Sequence, residues 1–214
     1  STKEKQMNKY IMELIGTFFL VLTIGLTVIG GGGGVIPPLA IGSVLMAMVF
    51  AGGHISGGHY NPAVTLAVWI RGRCATKDVV PYWAVQIIGA AAAAGVVKML
   101  RAGVAVTPMN PDVAPALIAE FIFTFALAFV VVSTATAKGN AGNSFYGLAI
   151  GFIVLAGAFS VGNISGGAFN PAVAIGIIAM GIVGGGSLWI YLVANLLGGA
   201  AAGLVFKSLC PDDK

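Results

Sequence analysis

The chain has 214 residues, 58% of them hydrophobic, with only 11 basic and 7 acidic side chains. A soluble domain is about a quarter charged, so a water-facing surface cannot be covered here; an ordinary soluble enzyme and a disordered chain are both excluded, and lipid is the solvent this composition requires. The net charge of +4 is scattered between apolar runs with no basic face to track phosphates, which excludes a nucleic-acid binder.

In chain order, a first apolar run covers 10–29 and is followed by five glycines and Pro37-Pro38. A second covers 39–58, then a glycine-rich turn opens a short apolar stretch, 61–70. Further runs cover 80–100, 115–137 and 145–163. A second glycine-rich turn opens another short stretch, 170–180, before the last run at 187–206. Each long run has about the 20 residues a helix needs to cross the hydrocarbon, so six crossings are predicted; the two short stretches can only enter and return. The basic residues near the N-terminus followed by an apolar run resemble a secretory signal, but the duplication described next makes that run structural.

Two segments repeat. His54-Ile-Ser-Gly-Gly-His-Tyr-Asn-Pro-Ala-Val64 aligns with Asn163-Ile-Ser-Gly-Gly-Ala-Phe-Asn-Pro-Ala-Val173 at an offset of 109, with 8 of 11 positions identical. Glu13, Thr17 and Phe18 match Glu120, Thr124 and Phe125, and Gln86, Gly89 and Lys98 face Asn195, Gly198 and Lys207. The expected organisation is a first repeat over 1–107 and a second over 108–214, together one pore domain. Three crossings and one half-crossing per repeat is an odd count, so the second repeat enters from the opposite side and the matching pieces meet near the midplane.

Asn before Pro starts a helix: the Asn side chain caps, and Pro at the first position lacks only a donor that would be orphaned there. Asn61 and Asn170 are thus expected to open two half-helices whose positive ends face each other, each worth about half a charge. The irregular backbone before them is tolerable in lipid only if it is buried in protein or lines a wet path. Lys3, Lys5, Lys9, Arg71, Arg73, Lys77, Lys138, Lys207 and Lys214 fall on one side and only Lys98 and Arg101 on the other, which puts both termini in the cytoplasm. Tyr10, Trp69, Tyr82, Trp83, Tyr146 and Trp189 lie near run ends, where interfacial rings are expected. Cys74 and Cys210 have no spacing that suggests a disulfide or a zinc site, and no cofactor is expected.

The paired Asn-Pro-Ala segments on an inverted six-crossing repeat resemble the aquaporin, or major intrinsic protein, family. The resemblance covers nearly the whole chain and implies an all-α membrane protein with six transmembrane helices and two re-entrant half-helices. It implies a passive water channel, not an enzyme, assembled as a homotetramer in the cell membrane, plasma or inner. In that family Asn61-Pro62-Ala63 and Asn170-Pro171-Ala172 would form the pore centre. The carbonyls of Gly57, Gly58, His59, Gly166, Gly167 and Ala168 would accept from passing water. Glu13 and Glu120, the two carboxylates inside apolar runs, would brace the re-entrant loops; a proton relay is the competing reading.

One departure stands out. Where most members carry Arg after the second motif, this chain has Val173; with Ile41, Ala158 and Gly167 it makes the expected outer constriction wide, apolar and uncharged. Small neutral solutes are therefore expected beside water. The alternative is a channel mainly for ammonia, urea or glycerol. A coupled transporter would need ion-binding acids near the breaks, and no Asp or Glu lies within ten residues of either motif. Glycines around 89–95 and 198–203 are expected to be small-residue helix contacts.

Overall fold

The computed structural model describes residues 2–213; Lys214, counted above with the basic residues of one side, lies outside them. Eight α-helices run in chain order: α1 Thr2–Val28, α2 Ile36–Ser56, α3 Pro62–Ile70, α4 Thr76–Leu100, α5 Val113–Val131, α6 Tyr146–Ser165, α7 Pro171–Ala179 and α8 Leu188–Leu209. Six are long and apolar enough to cross a membrane. The two nine-residue helices, α3 and α7, are the predicted half-crossings. The protein is an integral membrane protein with an inverted repeat.

The packing is symmetric between halves. α1 packs on α4 as α5 packs on α8, α3 lies against α8 as α7 lies against α4, and α2 crosses α6 on the symmetry axis. Small residues set these crossings. A Cβ on Gly42 would come within 2.8 Å of the Gly151 carbonyl, and one on Gly89 or Gly198 would meet the Leu14 or Phe121 carbonyl at 2.6 and 2.7 Å. Between apolar helices in lipid, close backbone approach replaces the hydrophobic effect as the source of adhesion. Gly95, expected to join these contacts, faces open space.

Large apolar side chains such as Ile118, Phe152 and Leu197 are more than half exposed and form the lipid-facing belt. Tyr82, expected at the interface, is instead buried, its hydroxyl donating to the Ser56 carbonyl at 2.6 Å. The pull is that backbone: Ser56 ends α2, and its carbonyl would otherwise be an orphan.

α5 ends in a π-helical turn, Val132–Thr136. Its loosened carbonyls are taken up from the loop that follows: Asn140 and Asn143 donate to Ser133 and Thr134 at 2.8 and 2.7 Å. This turn lies on the face where the termini emerge, hereafter the terminal face.

Candidate functional site

Each half-helix begins as its sequence dictates. Asn61 and Asn170 have extended backbones, and their Oδ1 atoms accept from the backbone N–H two residues on, at 2.8 and 2.9 Å. That leaves two N–H donors on each carboxamide. One is used reciprocally: Asn61 Nδ2 donates to the Phe169 carbonyl and Asn170 Nδ2 donates to the Tyr60 carbonyl, both at 2.9 Å. The two half-helices therefore meet tip to tip, each held by the residue that precedes the other.

The segments leading to them are bent by glycine. α2 ends on Gly57 at φ 93° and α6 on Gly166 at φ 89°, left-handed positions that a Cβ disfavours. Tyr60 and Phe169 also sit at positive φ, 50° and 49°, where non-glycine residues cost about 1–3 kcal/mol. That cost is offset by satisfying every group around them. Their carbonyls take the opposing Asn amides, and their N–H groups donate to Glu13 and Glu120 at 2.6 and 2.7 Å.

Both carboxyls are fully buried and serve their loops in parallel. Glu13 Oε1 accepts from Ser56 Oγ at 2.7 Å and His59 N at 2.9 Å, and Oε2 also accepts from Gln86. Glu120 Oε1 accepts from Ser165 Oγ at 2.7 Å and Ala168 N at 2.9 Å. The halves then diverge: Gln86 reaches its glutamate, whereas Asn195, one methylene shorter, leaves Nδ2 without a partner and accepts only from Thr124.

Two cavities flank the tips. One, of about 500 Å³, runs from Gly34, Pro37 and Pro38 at the outer end down to Asn61 and Asn170. Ile41, Ala158, Gly167 and Val173 all line it, as do Gly58, Gly166 and Ala168. The other, of about 860 Å³, opens on the terminal face between Lys9, His54, Arg73 and Lys138, and Gly57 lines it. Asp78 lies in its wall, accepting from Tyr10 and Gln6 at 2.9 Å and paired with Lys9 at 3.7 Å. His59 lines both cavities. Among the described residues no cluster of His, Cys, Asp and Glu could hold a metal.

Tyr60 and Phe169, the linking residues, lie outside the set of sites expected from the sequence, as does Val131, which lines both cavities. The aromatic residue directly before each Asn was the available signal for the first two. A lone valine in an apolar run offers none.

Half-helices joined at their tips within an inverted repeat, with a cavity toward each face, define a membrane channel of the broken-helix kind. Comparison with known proteins agrees. The Major intrinsic protein family profile matches residues 1–206. Aquaporin NIP1-3 of Oryza sativa subsp. japonica is 37% identical over 218 residues, covering 96% of this chain and 75% of its own. Aquaporin Z of Rhodopseudomonas palustris is 34% identical over 231 residues, covering 96% of this chain and 94% of its own. The fold matches that of the aquaglyceroporin from Plasmodium falciparum with a TM-score of 0.82 at 24% identity, over 96% of this chain and 98% of that one. The chain belongs to the major intrinsic protein family, whose members are passive channels and not enzymes.

Proposed function

We propose that the protein is a passive channel for water that also passes small neutral solutes, built from one repeat over 1–107 and another over 108–214. The observation that carries this reading is the pair of asparagines. Each has one N–H committed to the opposing backbone, and each lines the outer cavity, leaving its second N–H for a passing molecule. A water donates onward to the carbonyls of Gly57, Gly58 and His59 on one side and of Gly166, Gly167 and Ala168 on the other. It accepts at the centre from Asn61 and Asn170, beside Pro62, Ala63, Pro171 and Ala172.

That reversal of orientation at the tips breaks a proton-conducting chain. The two helix N-termini, each about half a positive charge, repel cations there. Glu13 and Glu120 act as braces, since every carboxyl oxygen is occupied by loop or helix donors.

The outer wall of Ile41, Ala158, Gly167 and Val173 carries no charge and no long polar side chain. That favours neutral solutes, and a channel mainly for ammonia, urea or glycerol is the second reading. The basic residues of the terminal face favour a cytoplasmic side for it, and the family resemblance supports a homotetramer in the cell membrane. Stopped-flow shrinkage of proteoliposomes under sucrose, glycerol and urea gradients tests the assignment. Water permeability well above that of empty vesicles, with measurable glycerol or urea entry, supports the first reading; solute entry without raised water permeability supports the second.

A further inference from the structure

The two halves part company around one hydroxyl. Thr65 lies in α3 and is fully buried. At the offset of 109 its counterpart is Ala174 and that of His59 is Ala168, so the second half lacks both side chains. In the first half they touch, His59 Nδ1 lying 3.0 Å from Thr65 Oγ1.

That oxygen has two further polar neighbours, the Asn61 carbonyl and Gln86 Nε2, each at 3.1 Å. The Gln86 nitrogen is placed by Glu13 Oε2, to which it also donates at 2.9 Å. A hydroxyl has one hydrogen to give and two lone pairs, a carbonyl only accepts, and an amide nitrogen only donates. The Thr65 hydrogen therefore goes to the Asn61 carbonyl, the back-bond open to a threonine inside a helix, and one lone pair accepts from Gln86. The other lone pair faces His59, so Nδ1 carries the hydrogen of that contact. Were the hydroxyl hydrogen on Nδ1 instead, two oxygens would stand 3.1 Å apart with no hydrogen between them, and two contacts would be satisfied where the first arrangement satisfies three.

In a neutral imidazole the bond made by one nitrogen sets the state of the other. With Nδ1–H on Thr65, Nε2 is left as a bare lone pair. It makes no hydrogen bond to the described residues, and unlike the unpaired Gln86 Oε1 it is not sealed from the cavities that His59 lines. A Cβ on Gly57 would lie 3.1 Å from it, so glycine there keeps the atom clear.

We propose that Thr65 is a positioning residue of the pore, holding His59 in the Nδ1–H form so that Nε2 meets the permeant as a hydrogen-bond acceptor. The role of Nε2 rests on the reading of the protein as a water channel. Asn61 and Asn170 present donors at the tips, so a water accepting there and donating at Nε2 keeps one orientation over this stretch. The opposite tautomer would add a third donor and turn the oxygen of water toward the ring.

The chain has two histidines, so solid-state NMR of proteoliposomes with ring-labelled histidine gives two imidazole spectra, and the one that His54→Gln removes belongs to His54. At mildly alkaline pH the His59 hydrogen is expected on Nδ1. Thr65→Val keeps the shape but cannot accept, so the hydrogen moves to Nε2, where water can take it. Water permeability then falls by roughly three- to tenfold, the range that one hydrogen bond of ordinary net strength spans. Thr65→Ser restores both readouts. A wild-type hydrogen on Nε2, or a Thr65→Val spectrum like wild type, overturns the proposal, and a moved hydrogen with unchanged permeability overturns the role of Nε2. The wild-type and Thr65→Ser spectra carry the test if Thr65→Val fails to fold. Wild-type vesicles no more permeable to water than protein-free ones overturn the channel reading, and with it the role of Nε2, while the tautomer stands on its own spectrum.

Discussion

Arg71 and Asp213, 142 positions apart in the chain, pair at 2.6 Å with the guanidinium side chain almost wholly buried. Arg71 ends the first half-helix, lies over the Phe206 ring at 4.7 Å and donates to the Thr136 carbonyl of the π-helical turn. The second oxygen of Asp213 accepts the Lys138 N–H at 2.8 Å. The tail thereby ties α3, α8 and the loop after α5 into one unit at the terminal face.

The Lys138 N–H, and after it the Arg71 charge, hold the Asp213 carboxyl below the usual carboxylate range. A depressed folded-state pKa contributes stability that is present above the unfolded value, about 3.9, and is lost as pH falls through the folded one. The thermal midpoint of the detergent-purified protein is therefore expected to drop on acidification below about pH 4. Asp213→Asn should be less stable at neutral pH and show a flatter acid limb; parallel profiles would show that the pair contributes nothing to the acid response.

Removing a brace should be costly. Glu120→Ala leaves the N–H groups of Ala168 and Phe169 and the Ser165 hydroxyl without their acceptor, at about 1–3 kcal/mol for each buried donor. Phe169 then keeps only its carbonyl's bond from Asn61 Nδ2 to offset its positive φ. A large loss of thermal midpoint and of water permeability is expected, and full permeability in Glu120→Ala would rule out the bracing role.

Gly16 faces the Tyr60 ring so closely that a Cβ would overlap it, and Gly52 meets the Tyr60 hydroxyl in the same way. The ring is fully buried, and its hydroxyl donates to the Met48 carbonyl at 2.9 Å, so it has nowhere to turn. Gly16→Ala should therefore destabilise by about 1–3 kcal/mol, the usual range for overpacking. Because Tyr60 carries the carbonyl that holds Asn170, water permeability should fall with it. A stable variant of unaltered permeability would show that the helix can shift to make room.

The Cys74 thiol gives a simpler measurement. Cys74 lies between α3 and α4, in the wall of the terminal-face cavity. Burial, and then the neighbouring Asp78, push its thiol up to about 11. Thiolate is the reactive form, so maleimide labelling of Cys74 at pH 7 should be far slower than that of a free thiol and should accelerate on alkalinisation. The family's usual mercury-sensitive position, three residues before the second Asn, is Gly167 here, so mercurials should not block the outer cavity. Fast labelling at neutral pH would mean that the loop opens.

What the sequence made legible follows from what repeats. The six crossings, the half-helices and the equivalence of Glu13 with Glu120 could all be read because periodic apolar runs and duplicated motifs survive in one dimension. α1 nonetheless begins at Thr2, well ahead of its apolar run, because lysines extend a helix as readily as leucines. Tyr82 was misplaced because an aromatic ring near a run end looks the same whether it meets headgroups or a carbonyl of the core. Arg71 with Asp213 had no signal at all: a contact between residues far apart in the chain carries no spacing that could announce it.

Val173 is the position where the outer cavity can be rebuilt. It is 3% exposed, lies in the first turn of α7 and donates its N–H to Asn170 Oδ1 at 3.3 Å, so a side chain placed there points from a fixed backbone. Val173→Arg introduces a long cation into a cavity lined by Ile41, Ala158 and Phe159. It narrows the path and adds a donor that water can satisfy and a larger solute cannot reach without losing its own partners. Urea and glycerol fluxes should fall by about tenfold more than water flux, while a guanidinium so near the two helix tips should strengthen cation exclusion. Proteoliposomes under an imposed proton gradient should acidify no faster than empty vesicles, in wild type and variant alike. Equal reduction of all three fluxes in Val173→Arg would show that the new side chain plugs the cavity without discriminating, and the outer wall would then have no part in selectivity.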